Sequence, residues 1–225
     1  FPLAPRADAK GLTAPAIRYY TKLRPIAAPV IPTGDVLDAC IKDIELALPQ
    51  LQDQSLETSH FNFYAAKGLL ARLYLYKGDV ASARKEAMDI ISSGQFPLAT
   101  NNKDLMFTEE HLFSLYSYGN DALKFNKSVL NGATPLGFSK ESQTALFVSG
   151  SGSTRDWRRA FVDPQTGVAF GNTISPKKYY GTTANVLPLI RVTEMYYIAA
   201  EGATGAGDTT DATSLLDSVR VHRNL

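Results

Sequence analysis

The sequence predicts a mostly α-helical fold in which helical hairpins are separated by a long loop-rich insertion. Apolar residues follow helical spacing between residues 35 and 94, and that spacing returns from residue 189 to residue 223. Between the two regions, glycine, proline, serine, threonine and asparagine are frequent and no long helical period is present. The 225 residues are 44% hydrophobic, which is enough for a substantial core. We therefore expect a single domain over 1–225, divided into 35–98, 99–188 and 189–225.

The N-terminal segment, residues 1–33, is rich in proline and alanine and has no sustained apolar period. This composition is typical of an extended segment that lies on a larger surface and has no core of its own. Asp35 is a suitable N-cap, and the apolar residues that follow it keep helical spacing until Pro49. The first helix is therefore predicted to begin at Asp35.

The next predicted helix, 61–76, is apolar almost all round, which indicates burial on several sides. The pair Gly78-Asp79 ends this helix and caps the following one, which Ser92-Ser93-Gly94 ends in turn. The two helices are expected to form an antiparallel hairpin. In the C-terminal region, helices are predicted from Leu189 to about Gly202 and from Thr210 to Arg223, with a turn between them.

The insertion, 99–188, contains short aromatic-rich runs such as 112–116, which predict a few short strands. Insertions of this length commonly carry a functional site or cover one.

An internal repeat relates the two helical regions. Four positions of the first hairpin recur 129 residues later, and both glycines are followed by aspartate. The first set is Ala71, Tyr74, Gly78 and Ala83, and the second is Ala200, Ala203, Gly207 and Ala212. Small residues on both helices with glycine in the turn allow close helix packing, which is the construction of a tetratricopeptide unit. Such units bury their apolar faces by stacking.

A specific family resemblance follows from these blocks. The run 64–79 with Ser93-Gly94-Gln95-Phe96-Pro97-Leu98 resembles the tetratricopeptide signature of the SusD/RagB family, and 188–201 with 219–223 resembles its second characteristic block. Smaller elements at 110–115 and 156–158 lie between them in the expected order. The resemblance covers roughly 35–225 and implies a SusD-like α-α superhelix from which N- and C-terminal portions are missing.

The resemblance also implies a function. Members of the family are lipid-anchored proteins on the outer membrane of Bacteroidetes, which capture an oligosaccharide or another nutrient and deliver it to a TonB-dependent, SusC-like transporter. On this interpretation the protein is not an enzyme, and its anchor lies outside this chain. The alternative hypothesis is a tetratricopeptide scaffold that binds a protein segment.

Charge and composition exclude several other classes. Lysine plus arginine number 23 and aspartate plus glutamate 22, so no general field attracts nucleic acid. No apolar stretch reaches the roughly 20 residues that a membrane-spanning helix needs. The single cysteine, Cys40, and the three histidines show no metal-ligand spacing, and neither a phosphate-binding loop nor a serine elbow is present. We predict no metal, cofactor or catalytic site.

Two carboxylates in the second helical region require interpretation. Arg191, Glu194 and Glu201 are spaced to share one helical face. Glycoside hydrolysis needs opposed carboxyl groups about 5–10 Å apart across a cleft, whereas these lie along one helix. We therefore predict structural ion pairs of the glutamates with Arg191, Arg220 or Arg223 that join two helices. Hydrolysis dependent on Glu194 or Glu201 is the competing hypothesis.

Aromatic residues of the insertion are the candidate ligand platforms, because sugar rings stack on tryptophan or tyrosine while polar neighbours bond the hydroxyl groups. The predicted platforms are Trp157, Tyr118 and Tyr180, with Asn120 and Arg155 as hydrogen-bonding neighbours. The alternative is core packing, and Trp157 could simply anchor its own loop. The family resemblance assigns no ligand residue.

Overall fold

The computed structural model is mostly helical, as predicted, and its described strands pair as small antiparallel ribbons. It describes residues 11–23, 26–51, 57–104, 106–116, 156–157, 162–164, 174–176 and 186–225, with the single positions 142 and 145. The helices whose bounds lie within these ranges are α1 (Thr33–Ala47), α2 (Phe63–Lys77), α3 (Val80–Ser92), α4 (Val192–Gly205) and α5 (Thr209–Val221). The ribbons pair β1 (Pro15–Arg18) with β2 (Val30–Pro32), β3 (His111–Tyr116) with β6 (Val186–Arg191), and β4 (Val162–Pro164) with β5 (Ile174–Pro176). Most of the predicted insertion lies outside the described residues.

The two predicted hairpins, α2–α3 and α4–α5, turn in the same way. Gly78 (φ 89°) and Gly207 (φ 80°) both adopt the left-handed conformation that glycine tolerates best. In both turns the N–H of the following aspartate donates to the carbonyl four residues before the glycine, at 2.9 Å. The internal repeat in the sequence is therefore also a repeat of backbone geometry.

The aspartate after each glycine caps the second helix of its hairpin. The Asp79 carboxylate accepts from the backbone N–H and the hydroxyl of Ser82, at 3.1 and 2.8 Å. The Asp208 carboxylate accepts from the N–H of Asp211 at 3.0 Å. These bonds satisfy donors that the first turn of a helix would otherwise leave without a partner.

We expect Asp79→Ala to lower the free energy of unfolding by about 1 kcal/mol at pH 7, as loss of an N-cap usually does. Hydrogen bonds from Ser82 hold the pKa of Asp79 below its ordinary value of 3.8. The contribution of the ionised cap is therefore present above that value and is lost as the pH falls through the lowered pKa. Urea denaturation at pH 7 and pH 3 should show the wild-type advantage shrinking in acid. Asp208→Ala removes the equivalent cap of the second hairpin and serves as the matched variant. An equal loss of stability in Asp79→Ala at both pH values would contradict the role of the ionised Asp79 carboxylate as the cap.

The hairpins stack in chain order, with α3 against α4 at the junction. At Gly202 of α4, a Cβ atom would lie 2.5 Å from the Cβ of Arg84 and 2.8 Å from the carbonyl oxygen of Val80. Both contacts are closer than real Cβ atoms allow, so glycine is what permits this approach. The main core runs through this junction and includes Ala87 and Met195.

Helix α2 contributes to two cores, as its apolar circumference predicted. One side joins the main core through Tyr64 and Ala71. The other side packs against α1, where Leu70 meets Leu37 in a second buried cluster. The hairpin therefore connects the N-terminal helix with the rest of the stack.

Two expectations about local structure are corrected. Leu189–Arg191 belong to β6 instead of a helix, because they pair with β3, and α4 begins at Val192. Helix α1 begins at Thr33, two residues before the predicted cap. The N–H of Gly34 donates to the carbonyl of Leu12 at 2.9 Å, and Asp35 lies in the first turn without capping it. The segment predicted to be extended includes, within 11–32, the two extended strands of the β1–β2 ribbon.

Candidate ligand-binding region around Trp157

Trp157, the single tryptophan of the sequence, is attached to the end of the second hairpin. Its backbone N–H donates to the carbonyl oxygen of Arg223 at 3.2 Å. The Trp157 side chain is half-buried, and the preceding Asp156 is buried. A backbone hydrogen bond therefore joins Trp157, a predicted ligand platform, to Arg223, a member of the predicted ion-pair set.

The chain turns sharply where it contacts Trp157. Arg223 follows α5, its N–H donates to the carbonyl of Arg220 at 2.9 Å, and Leu225 donates to the same carbonyl at 3.0 Å. Asn224 between them is left-handed, with φ 59°, a conformation that asparagine accepts more readily than most residues. This turn fixes the direction of the Arg223 carbonyl.

The guanidinium of Arg223 forms a buried ion pair with Glu110. Arg223 Nη2 lies 2.6 Å from Oε1 and 2.8 Å from Oε2 of Glu110, and the two side chains are 9% and 0% exposed. Arg223 Nη2 also donates to the hydroxyl of Thr193 at 3.1 Å. A charge pair this deeply buried is favourable only when its remaining hydrogen bonds are satisfied.

Glu110 meets that condition. Besides Arg223, its carboxylate accepts from the backbone N–H of Ala99 at 2.9 Å and from the hydroxyl of Thr193. Burial, and then the negative charge of Glu110, raise the pKa of Tyr196. The carboxylate is thus held by donors from the segment after α3, from α4 and from the residue beyond α5.

The ring of Phe107 covers one face of the Arg223 guanidinium. The Arg223 guanidinium lies over its ring, 4.2 Å from the centroid, within the range of a cation–π interaction. Phe107 is itself left-handed, with φ 51° and ψ 55°, which is strained for a bulky side chain. The Asp104 carboxylate supports this turn by accepting from the backbone N–H groups of Met106 and Thr108, at 2.9 and 2.8 Å.

The other predicted platform residues, Tyr118, Asn120, Arg155 and Tyr180, lie outside the described residues. Trp157 is the one member of the set that the structure places. The grouping of these side chains around a ligand therefore stays a prediction.

The partners predicted for the ion-pair set are corrected. Glu194 accepts from both Arg72 Nε and Arg72 Nη2 and so joins α4 to α2, instead of pairing with Arg191, Arg220 or Arg223. Arg223 pairs with Glu110. The reason is topological, because α2 packs beside α4 and brings Arg72 to the face that carries Glu194.

The remaining members do not join helices to one another. Arg220 pairs with Asp217 at 2.9 Å, within α5. Across the described ranges, neither Arg191 nor Glu201 forms an ion pair. Glu201 is exposed and Arg191 lies at the end of β6, paired in the ladder with His111.

Sequence reasoning missed Glu110, Thr193, Phe107 and Arg72 as parts of these networks. A weak signal existed for Glu110, because it immediately precedes the apolar run of β3. Nothing in the local sequence indicated its arginine partner, 113 residues further on.

The described residues offer neither a metal site nor a membrane-spanning helix. Within the part of the chain that the structure describes, no three histidine, cysteine, aspartate or glutamate side chains group as metal ligands. None of the helices among the same residues is sufficiently long and apolar to span a bilayer.

Comparisons with known proteins give matches among solved structures. No family model matches the sequence, and no curated protein does. A SusD superfamily protein from Bacteroides thetaiotaomicron VPI-5482 superposes with a TM-score of 0.81 at 20% identity, covering 98% of this chain and 55% of that one. A SusD-like carbohydrate binding protein from Bacteroides vulgatus ATCC 8482 gives 0.77 at 18%, covering 99% and 51%. Surface glycan-binding protein A from Bacteroides thetaiotaomicron gives 0.63 at 15%, covering 96% and 57%.

These superpositions include nearly every residue of this chain, whereas the chain spans about half the length of the structures it matches. At sequence identities of 15–20%, these superpositions establish the fold alone. The resemblance to the SusD/RagB family seen in the sequence is confirmed at that level: the chain has the SusD-like fold.

Proposed function

We propose that the chain is part of a non-catalytic glycan-binding protein of the bacterial cell surface. The observation that carries the proposal is the near-complete superposition on solved structures described as SusD-like carbohydrate binding and surface glycan-binding proteins. The near-neutral charge of the chain suits an uncharged oligosaccharide better than a polyanion.

Trp157 supports the proposal from within the chain. A tryptophan offers a flat apolar face to the C–H groups of a sugar ring. Here the indole is half-buried, and its backbone is held by the second hairpin. Because the backbone is already held, ordering this residue on binding costs less conformational freedom, which favours affinity.

The proposed role extends to nutrient uptake. The full-length protein would be lipid-anchored at the outer membrane and would pass captured oligosaccharide to a TonB-dependent, SusC-like transporter. A transporter gene of this class beside the coding gene would support the partnership. Co-purification of the two proteins from detergent-solubilised membranes would test it directly.

The absence of catalysis is part of the proposal. Glu194, one of the two carboxylates considered for hydrolysis, is engaged by Arg72 on a neighbouring helix. Its ion pair with Arg72 suits a structural role better than proton transfer. Release of sugar fragments that is lost in Glu194→Gln or Glu201→Gln would contradict a purely binding role.

We expect Trp157→Ala to lower glycan affinity by about tenfold or more, which corresponds to at least roughly 1.4 kcal/mol of binding free energy. A panel of neutral oligosaccharides on an array, followed by calorimetry with those that bind, measures the effect. Tyr197→Ala is the control, because Tyr197 is an exposed aromatic on α4 that the proposal does not use. Both variants should keep the wild-type far-UV circular dichroism spectrum.

The same binding measurements distinguish the glycan-binding function from the alternative hypothesis of a tetratricopeptide scaffold. Equal glycan affinity of wild type and a folded Trp157→Ala variant would remove Trp157 from the site. No glycan binding, together with capture of a peptide partner, would favour the tetratricopeptide scaffold. The array should be repeated on the longer protein, because residues outside this chain can contribute to a binding site.

A further inference from the structure

We propose that Arg223 is a positioning residue for Trp157. Its carbonyl holds the backbone of Trp157, while its guanidinium is locked in the interior by Glu110, Thr193 and Phe107. This inference deepens the proposed function and rests on it, since it assigns to the buried ion pair the task of orienting the glycan platform.

The Arg223 side chain is held from several directions. Both oxygens of Glu110 accept from Nη2, Nη1 donates to the carbonyl of His222 at 3.1 Å, and the ring of Phe107 covers one face of the guanidinium. A planar group held at its edge and its face has little freedom to rotate. The Cα atom of Arg223 is therefore fixed from its side chain as well as from its backbone.

The backbone of Arg223, held in this way, makes the hydrogen bond to Trp157. The Arg223 carbonyl, in the turn that follows α5, accepts the Trp157 N–H at 3.2 Å. A shift of the arginine backbone would move or break this bond. Asp156, which precedes Trp157, is buried, so a shift of the Arg223 backbone would change the position of Trp157 relative to this buried neighbour.

The groups that hold the Arg223 side chain come from separate parts of the chain. Phe107 and Glu110 follow the first hairpin, whereas Thr193 belongs to the second and Arg223 follows it. The orientation of Trp157 therefore depends on how these parts join. A lysine at position 223 would keep the charge, but it could not stack on the ring in the same way or donate from a second nitrogen to the carbonyl of His222.

The test uses Trp157 as its own reporter, because the sequence contains no other tryptophan. We expect Arg223→Lys to shift the fluorescence emission of Trp157 to longer wavelength and to increase its quenching by acrylamide. Arg72→Lys is the matched control. It changes another arginine–glutamate pair between helices, and it should leave the emission and the quenching as in wild type.

Phe107→Leu is measured in parallel, since it removes the ring beneath the guanidinium while both side chains of the Arg223–Glu110 ion pair stay unchanged. Wild-type emission and quenching in a folded Arg223→Lys or Phe107→Leu variant would overturn the proposal. An equal change in Arg72→Lys would also overturn it, because the effect would then be a general loosening of the fold.

The readout requires no glycan, so it is independent of the proposed function. If the oligosaccharide panel gives no binding to wild type, the proposed function fails while the fluorescence result still decides whether Arg223 positions Trp157. If wild type binds, Arg223→Lys should lose affinity for the same oligosaccharides in proportion to the change in quenching.

Discussion

Glu110→Ala is expected to lower the free energy of unfolding by about 3–5 kcal/mol, as loss of one partner from a buried ion pair usually does. The substitution leaves the Arg223 guanidinium, 9% exposed, without its counter-charge. It also removes the acceptor of the Ala99 N–H and of the Thr193 hydroxyl. Guanidinium chloride denaturation at pH 7, followed by far-UV circular dichroism, measures the loss.

Glu194→Ala is the control for this prediction. The Arg72–Glu194 pair is 36% and 34% exposed, and pairs open to solvent contribute roughly 0–1 kcal/mol. In a double-mutant cycle, Arg223→Met should cost less in the Glu110→Ala background than in wild type, because the isolated charge is then absent. A Glu110→Ala variant as stable as Glu194→Ala would show that the buried pair does not stabilise the fold.

Gly202→Val is expected to destabilise the protein by about 3 kcal/mol, at the upper end of the usual range for overpacking. The new Cβ would meet the Val80 carbonyl oxygen at 2.8 Å, and that contact involves backbone, which cannot rotate away. The two hairpins would have to separate, and the core between α3 and α4 would loosen. Urea denaturation measures the difference.

Gly205→Val tests whether position or residue type causes the effect. Gly205 lies in the same helix, and its Cβ would meet only the side chain of Val80, at 3.0 Å for the nearest methyl group. A side chain can adjust by rotation, so we expect a clearly smaller loss than for Gly202→Val. Equal losses at the two positions would show that helix propensity, and not the approach of the hairpins, determines the cost.

The repeat was predictable from the sequence because its determinants are local. A glycine that can adopt positive φ and an aspartate that can cap the next helix lie side by side at 78–79 and at 207–208. Their geometry depends on a few neighbouring residues. The periodicity of α2, α3 and α5 was readable for the same reason.

The start of α4 was not predictable in the same way. Leu189 and Ile190 continue the apolar spacing of the helix, and a short apolar run fits a strand equally well. Pairing with β3, far away in the sequence, makes this segment a strand. The choice between strand and helix was thus made by a long-range contact.

By itself, the sequence determined the helical hairpins, their repeat and the family whose fold the chain shares. Tertiary structure alone decided that Glu194 pairs with Arg72, that Glu110 is buried against Arg223, and that Trp157 is attached to the end of α5. The physical reason is that turns and caps depend on neighbouring residues, whereas the partner of a buried charge depends on which elements pack together.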